Sequence, residues 1–189
     1  LLHFICNMMV IYLTFNDLKI CFTSQTECYD NTMFDSSALA LTVGLHTFHI
    51  VRDYKTLTII DWLHHLISSW FMTFIGVYYY HMPLWNCGTF FLCGLPGGID
   101  YALLVLYKYN IIDSITEKSV NRWLNLLIRM PGMMLISWYI FLNLVDGNLK
   151  WYKYILIILA SIVQPNFWWL LIILLLFSWM GYVGVVRAE

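Results

Sequence analysis

Leu84-Trp85-Asn86-Cys87-Gly88-Thr89-Phe90-Phe91-Leu92-Cys93-Gly94-Leu95-Pro96-Gly97-Gly98-Ile99-Asp100-Tyr101-Ala102-Leu103-Leu104-Val105-Leu106-Tyr107 carries one charged side chain, Asp100, in an otherwise apolar and aromatic run. A helix needs about 20 such residues to cross the roughly 30 Å hydrocarbon layer of a bilayer, so this segment reads as a membrane span. Inside it, Leu95-Pro96-Gly97-Gly98 removes a backbone donor and adds two flexible positions. That predicts a kinked or discontinuous helix near mid-membrane, where irregular backbone is tolerated only if it faces protein or a cavity.

Outward from this segment the same pattern repeats. The chain is 61% hydrophobic and only 11% charged, against roughly 25% charged residues in soluble domains, so a water-soluble fold is excluded. With a formal net charge of -1 and scattered Lys and Arg, no basic stripe is available to track phosphates, which excludes nucleic acid as a partner. The expected fold class is an all-α polytopic transmembrane bundle of about seven spans, a single domain over residues 1–189. The spans fall near Leu1 to Phe15, Ser36 to Val51, Thr56 to Tyr80, Leu84 to Tyr107, Arg122 to Val145, Trp151 to Val163 and Asn166 to Val186. The chain opens Leu1-Leu2-His3 without an initiator Met, so the first span reads as short or trimmed, and a cleaved leader would leave no trace.

A polar loop is expected from Asn16 to Asp35, and another from Lys108 to Asn121. Cys21 and Cys28 share the first loop; they pair if it faces an oxidising lumen and stay free thiols otherwise. The cations of Arg52 to Lys55 and of Lys108 to Arg122 fall on one side of the bundle, which the positive-inside rule makes cytosolic, although Lys150 and Lys153 fall on the other. Tyr78, Tyr79, Tyr80, Trp85, Trp151, Tyr152, Trp168 and Trp169 near span ends read as interfacial anchors.

Ionisable side chains at membrane depth are costly and so mark functional positions. Here they gather on four spans. Asp61, His64 and His65 stand at three- and four-residue spacing, which on an α-helix brings both imidazoles to the carboxylate. His46 and His49 lie on the preceding span, which the tight turn Arg52-Asp53-Tyr54-Lys55 makes an antiparallel neighbour. Asp100 and Arg129 complete the set. Three chemistries fit. An imidazole with Asp61 or Asp100 behind it suits acyl transfer. A His and Asp cluster suits a borderline metal, but six histidines are few for a di-iron centre and no CxxC pattern is present, so no metal or other cofactor is assigned. The third is a set of interhelical hydrogen bonds with no chemistry.

These residues resemble the TLC-domain family of eukaryotic membrane proteins, which includes ceramide synthases. The likeness lies in His64-His65 soon after a charged turn with Asp53, a following broken helix with Asp100, Arg129 beside Pro131, and the opening Asn166-Phe167-Trp168-Trp169 of the last span. It covers about residues 40 to 180. Leu95-Pro96-Gly97-Gly98-Ile99-Asp100 stands where many members have a Glu-Ser/Thr-x-Pro element, and Leu66-Ile67-Ser68-Ser69-Trp70 follows His65 in place of the acidic continuation of the synthases. Asp61-Trp62-Leu63-His64-His65 is also similar to the His-x-x-His-His box of fatty acid elongases, with aspartate at its first position.

The resemblance implies a lipid or acyl chain held in a central cavity bordered by His46, His49, Asp61, His64, His65 and Asp100. In the catalytic version His64 or His65 takes a proton or carries an acyl group, Asp61 or Asp100 orients it, and Arg129 holds an anionic head group. Whether the chain is an enzyme stays open. The alternative is a non-catalytic subunit of a larger membrane complex with a structural lipid in the same place. The family implies the endoplasmic reticulum, with the mitochondrial inner membrane as alternative.

Overall fold

The computed structural model describes residues 1–29, 34–71, 73–74, 77 and 82–145. The spans expected at 151–163 and 166–186, Tyr78 to Tyr80, and Trp168 and Trp169 lie outside the described residues. Within them every regular element is helical. Among the described residues, two helices are long and apolar enough to cross a membrane, Leu2–Thr23 and Pro83–Lys108.

Helix α1 spans Leu2–Thr23, longer than expected. Asp17 and Lys19 read as the start of a loop, but Asp17 falls on the packed face of α1 with Cys6, Asn7, Val10, Thr14 and Cys21, a three- and four-residue repeat that marks one side of a helix. The opposite side carries Ile5, Met9, Tyr12, Phe15 and Phe22, all exposed. The inward side is thus the more polar one. Its polar groups are satisfied locally: the Thr14 hydroxyl donates to the Val10 carbonyl at 2.7 Å, and Asp17 accepts from Asn86 Nδ2 at 2.5 Å.

Ser24 leaves the helix and caps the short α2, Gln25–Cys28, by accepting from the Glu27 amide. A disulfide joins Cys21 to Cys28, settling the pairing that spacing alone left open, and both cysteines are buried with Leu84, Cys87 and Ile136. Helix α3, Ser37–Asp53, begins where Asp35 accepts from the Ser37 amide and hydroxyl. Helix α4, Ile59–Leu63, continues directly into a π-helical segment π1, His64–Phe71.

The decisive run begins with Pro83, whose missing amide donor is harmless in the first turn. Helix α5, Pro83–Thr89, passes through a π-helical turn π2, Phe90–Gly94, into α6, Leu95–Lys108. The run is continuous through Pro96 rather than discontinuous, and its irregularity is the π-helical turn just ahead of the proline. The wider turn ahead of the proline keeps the helix running, as single π-turns do inside α-helices. Helix α6 ends in a Schellman motif: Ile111 N donates to Leu106 O, Asn110 N donates to Tyr107 O, and Asn110 takes the left-handed conformation at φ 56°. Asp113 then caps α7, Ser114–Leu124, accepting from the Thr116 amide at 2.6 Å. The second polar loop is therefore only the link after Lys108 up to Asp113, because the charged residues from Glu117 to Arg122 are helical. Helix α7 runs on through π3, Asn125–Arg129, into α8, Met130–Val145.

Helix α1 packs antiparallel along the α5 to α6 run. Asn86 meets Asp17, and positions 94, 97 and 98 are glycines whose missing side chains are filled by Val10, Asn7 and Met8 respectively. Small residues four apart allow this close approach. A Cβ on Gly97 would lie 2.7 Å from Asn7 Nδ2. At the covalently closed end, Tyr29 donates to the Tyr139 carbonyl at 2.6 Å and Tyr139 donates to the Cys21 carbonyl at 2.9 Å, so α8 is tied to α1 and α2.

Two measurements test this packing. A Cβ on Gly132 would lie 2.2 Å from Phe91 Cγ and 2.6 Å from Phe91 Cβ, so Gly132→Ala should lose about 1–3 kcal/mol to overpacking, whereas Gly44→Ala, which meets nothing within 4 Å, should gain up to about 1 kcal/mol of helix propensity; thermal melts in detergent read both. The Thr116 bond holds the Asp113 carboxyl below its usual range. Its contribution is therefore complete above roughly pH 4 and is lost as pH falls through the depressed folded value. Hydrogen exchange at Thr116 should show the start of α7 opening on acidification, and Asp113→Asn should remove that dependence.

Candidate functional site

The histidines meet where the end of α3, the start of α1 and π1 come together. His46 Nδ1 lies 2.8 Å from His65 Nδ1. His49, three residues on and buried, stacks at 6.0 Å against His65 and at 4.3 Å against His3 of α1. His3 stacks in turn at 4.0 Å on Tyr101 of α6. Four elements thus contribute one column of rings, Tyr101, His3, His49 and His65, with His46 beside it.

The column ends at the last turn of α3. His49 Nδ1 faces Asp53 Oδ2 at 3.4 Å and Arg52 Nη2 at 3.3 Å. Arg52 in turn donates to both Asp53 oxygens, at 2.9 Å from Nε and 2.5 Å from Nη2, and these bonds hold the Asp53 carboxyl below its usual range. The other His49 nitrogen, Nε2, is buried and makes no hydrogen bond. Such an atom is costly to leave unpaired.

Of the residues expected at the site, His46, His49 and His65 are brought together. The His64 side chain lies outside the described part of the structure. The Asp61 carboxylate accepts from the Thr58 amide at 2.9 Å and hydroxyl at 2.7 Å, and the Asp61 amide donates to Thr58 Oγ1 at 3.3 Å. That reciprocal capping box starts α4. From His64 onward the backbone is π-helical, with hydrogen bonds five rather than four residues apart, so the α repeat that starts at Asp61 does not continue beyond the histidines.

Asp100 and Arg129 form a second polar group. Pro96 has no amide to offer the Leu92 carbonyl four residues before it, and Arg129 Nε donates to that carbonyl at 2.9 Å. Arg129 Nη1 also donates to Asn125 Oδ1 one turn earlier. The Asp100 carboxylate is within electrostatic reach of Arg129 and of Glu117, yet Asp100 Oδ1 is buried without a hydrogen bond. Among the described residues, no three His, Cys, Asp or Glu side chains converge as metal ligands.

His3 and Tyr101 were not anticipated. Their signal was present: His3 begins the same repeat as Asn7, Val10, Thr14, Asp17 and Cys21, which places it on the inward side of α1. Chemically, the cluster offers paired imidazoles, the side chain most often used as a general acid or base, with the Asp53 carboxylate at its edge. If Arg129 replaces a donor that Pro96 lacks, the two positions are coupled. Arg129→Met should destabilise the protein less in a Pro96→Ala background than in the parent, by a coupling of about 0.5–3 kcal/mol in a double-mutant cycle; additive losses would show that the Leu92 bond is incidental.

No family model matches the chain, and no solved structure matches it. It is similar over 36 residues to two bacterial proteins: the inner membrane ABC transporter permease protein YejE of Escherichia coli (strain K12), at 67% identity over 19% of this chain and 11% of that protein, and the peptidoglycan transport system permease protein YejE of Agrobacterium fabrum, at 64% identity over 19% of this chain and 9% of that protein. The chain spans about a tenth of the length of the curated relatives it matches.

Proposed function

We propose that the chain is a multi-pass membrane protein whose interior histidine cluster binds or processes the polar end of a lipid or acyl chain. The membrane half of this reading is supported by the inverted polarity of the helices. Asn7, Thr14, Asp17 and Asn86 are buried, while Tyr12, Phe15, Phe22, Ile59 and Ile60 are exposed. In water that arrangement is unfavourable on both counts; in hydrocarbon it is the favourable one. The likeness to two bacterial permease proteins points the same way.

The observation that carries the site half is the His46 and His65 contact beside the unpaired Nε2 of His49. An enclosed pair of imidazoles with an unsatisfied neighbour suits a ligand that brings its own hydrogen-bonding head group and an apolar tail. In an acyl transfer His65 or His46 accepts the proton of the attacking group, with Asp100 and Arg129 as a second polar contact for the head group. The TLC-like motifs agree with such a ligand, in the endoplasmic reticulum or another internal membrane.

A second reading, a non-catalytic subunit of a membrane assembly, is favoured by the likeness to transporter permease proteins. Native mass spectrometry of the chain extracted in mild detergent separates the two. The lipid reading predicts a bound lipid that His46→Ala and His65→Ala each release by about tenfold, roughly 1.4 kcal/mol. A lipid-free chain within a large complex, unchanged by either substitution, would leave the subunit reading.

A further inference from the structure

We infer that the histidine end of the bundle is an anchoring surface for anionic phospholipids, whose phosphates are bound by Lys55, Lys108, Lys118 and Arg122. This rests on the membrane half of the reading above and is independent of its histidine half. The turns of the chain bring these cations to one end. Lys55 follows α3, Lys108 ends α6, Lys118 and Arg122 lie on α7, and α7 packs back along α6. Among the described residues none of them makes an ion pair. The carboxylates at this end do not answer them: Arg52 binds Asp53, Asp61 and Asp113 accept bonds at helix starts, and Glu117 is buried with Leu124 on the inner face of α7. Ile115, Lys118 and Arg122, at three- and four-residue spacing, form the opposite, exposed face. At the disulfide end the balance is reversed, with Asp17, Glu27 and Asp35 against Lys19 among the described residues.

Aromatic rings show what kind of surface the cations face. Lys55 stands over Tyr54 at 5.6 Å, Arg122 over Trp123 at 5.8 Å and Arg52 over Phe48 at 5.3 Å, and all of these rings are exposed. An exposed ring beside a long cationic side chain suits the boundary of a bilayer, where the ring lies at headgroup level and the cation reaches phosphate. Helix length places α7 at that boundary. From Asn125 to Val145, π3 and α8 run on unbroken for about 30 Å at the helical rise, enough to cross the hydrocarbon layer. Arg122 and Trp123 then fall at its edge, and Lys118 one turn further out, among the headgroups.

The opposite end identifies the leaflet. A disulfide persists where the compartment is oxidising, so the Cys21 to Cys28 bond puts its end of the bundle on that side and the cations on the reducing side. The cytoplasmic leaflet carries anionic lipid and attracts basic residues close to its surface. Disulfide and cations sit at opposite ends of the same helices, and each selects the same orientation independently of the other.

The test places the full chain in phosphatidylcholine vesicles with trace spin-labelled phosphatidylglycerol or spin-labelled phosphatidylcholine, and reads by electron paramagnetic resonance how much of each label the protein immobilises. The anionic label should be preferred by about fivefold, the attraction expected of a basic residue near a charged surface. Molar sodium chloride should bring the ratio close to one, because exposed charges are screened. Replacing Lys55, Lys108, Lys118 and Arg122 together by Gln should do the same without salt, while Lys19→Gln should leave the preference unchanged. Equal immobilisation of the two labels overturns the inference, as does a preference that survives salt or is lost equally in Lys19→Gln; the salt arm needs no variant to fold. A chain that resists carbonate extraction from the vesicles yet shows no preference sinks this inference alone, whereas a chain that carbonate strips away sinks the membrane reading with it.

Discussion

The carboxamide of Asn86 is the point on which the arrangement of helices depends. It is completely buried, and its Nδ2 donates both to Asp17 of α1 and to the carbonyl of Asp35, just before α3. Three parts of the chain are thereby joined through one side chain. In a bundle whose outer faces are apolar, the hydrophobic effect does little to choose one register of helix against helix, and buried polar contacts and close packing take over that task. With Asn86 opposite Asp17, the glycines at 97 and 98 fall opposite Asn7 and Met8, and Tyr101 falls opposite His3. The contact that begins the ring column is set by a hydrogen bond at the far end of the same pair of helices.

Prolines 96 and 131 are accommodated by one device used twice. A π-helical turn precedes each, Phe90–Gly94 and Asn125–Arg129. The wider turn relieves the clash between a proline ring and the preceding carbonyl, and it leaves carbonyls without their usual amide. Arg129, the last residue of the second such turn, supplies a donor to Leu92 within the first. The two irregular turns are therefore not independent defects; one helix corrects the other. The residue that looked like a head-group ligand is in part a backbone donor, and it keeps Asp100 within electrostatic reach without neutralising it through a direct ion pair.

Much of this was legible in the sequence, and what was not has identifiable causes. The apolar run from Leu84 to Tyr107 marks the helix Pro83–Lys108 almost to the residue, and the segment from Ser36 to Val51 marks Ser37–Asp53, because long uncharged stretches bounded by proline or charge leave little choice. Asp17 and Lys19 misled because a charge reads as a loop unless its partner is known, and the partner of Asp17 lies far along the chain at Asn86. At the site, clustering of His46, His49 and His65 followed from the short turn between their helices. Asp61 also takes a capping role that its spacing to the histidines did not suggest, since Thr58 three residues ahead donates to its carboxylate at the helix start. Helical periodicity also assumes the α repeat, which π1 abandons at His64.

The two ends of the α1 and α5 to α6 pair are held by different chemistry, and the difference bears on what the histidine end can do. At one end a disulfide, the Tyr29 and Tyr139 bonds and the Asn86 contacts fix four elements together. At the other, ring stacking and an imidazole contact join α1, α3, π1 and α6. Stacked rings slide at little cost compared with breaking a buried hydrogen bond. The far end fixes the register of the helices, and the more compliant end carries the histidines in a fold with few charges to spare.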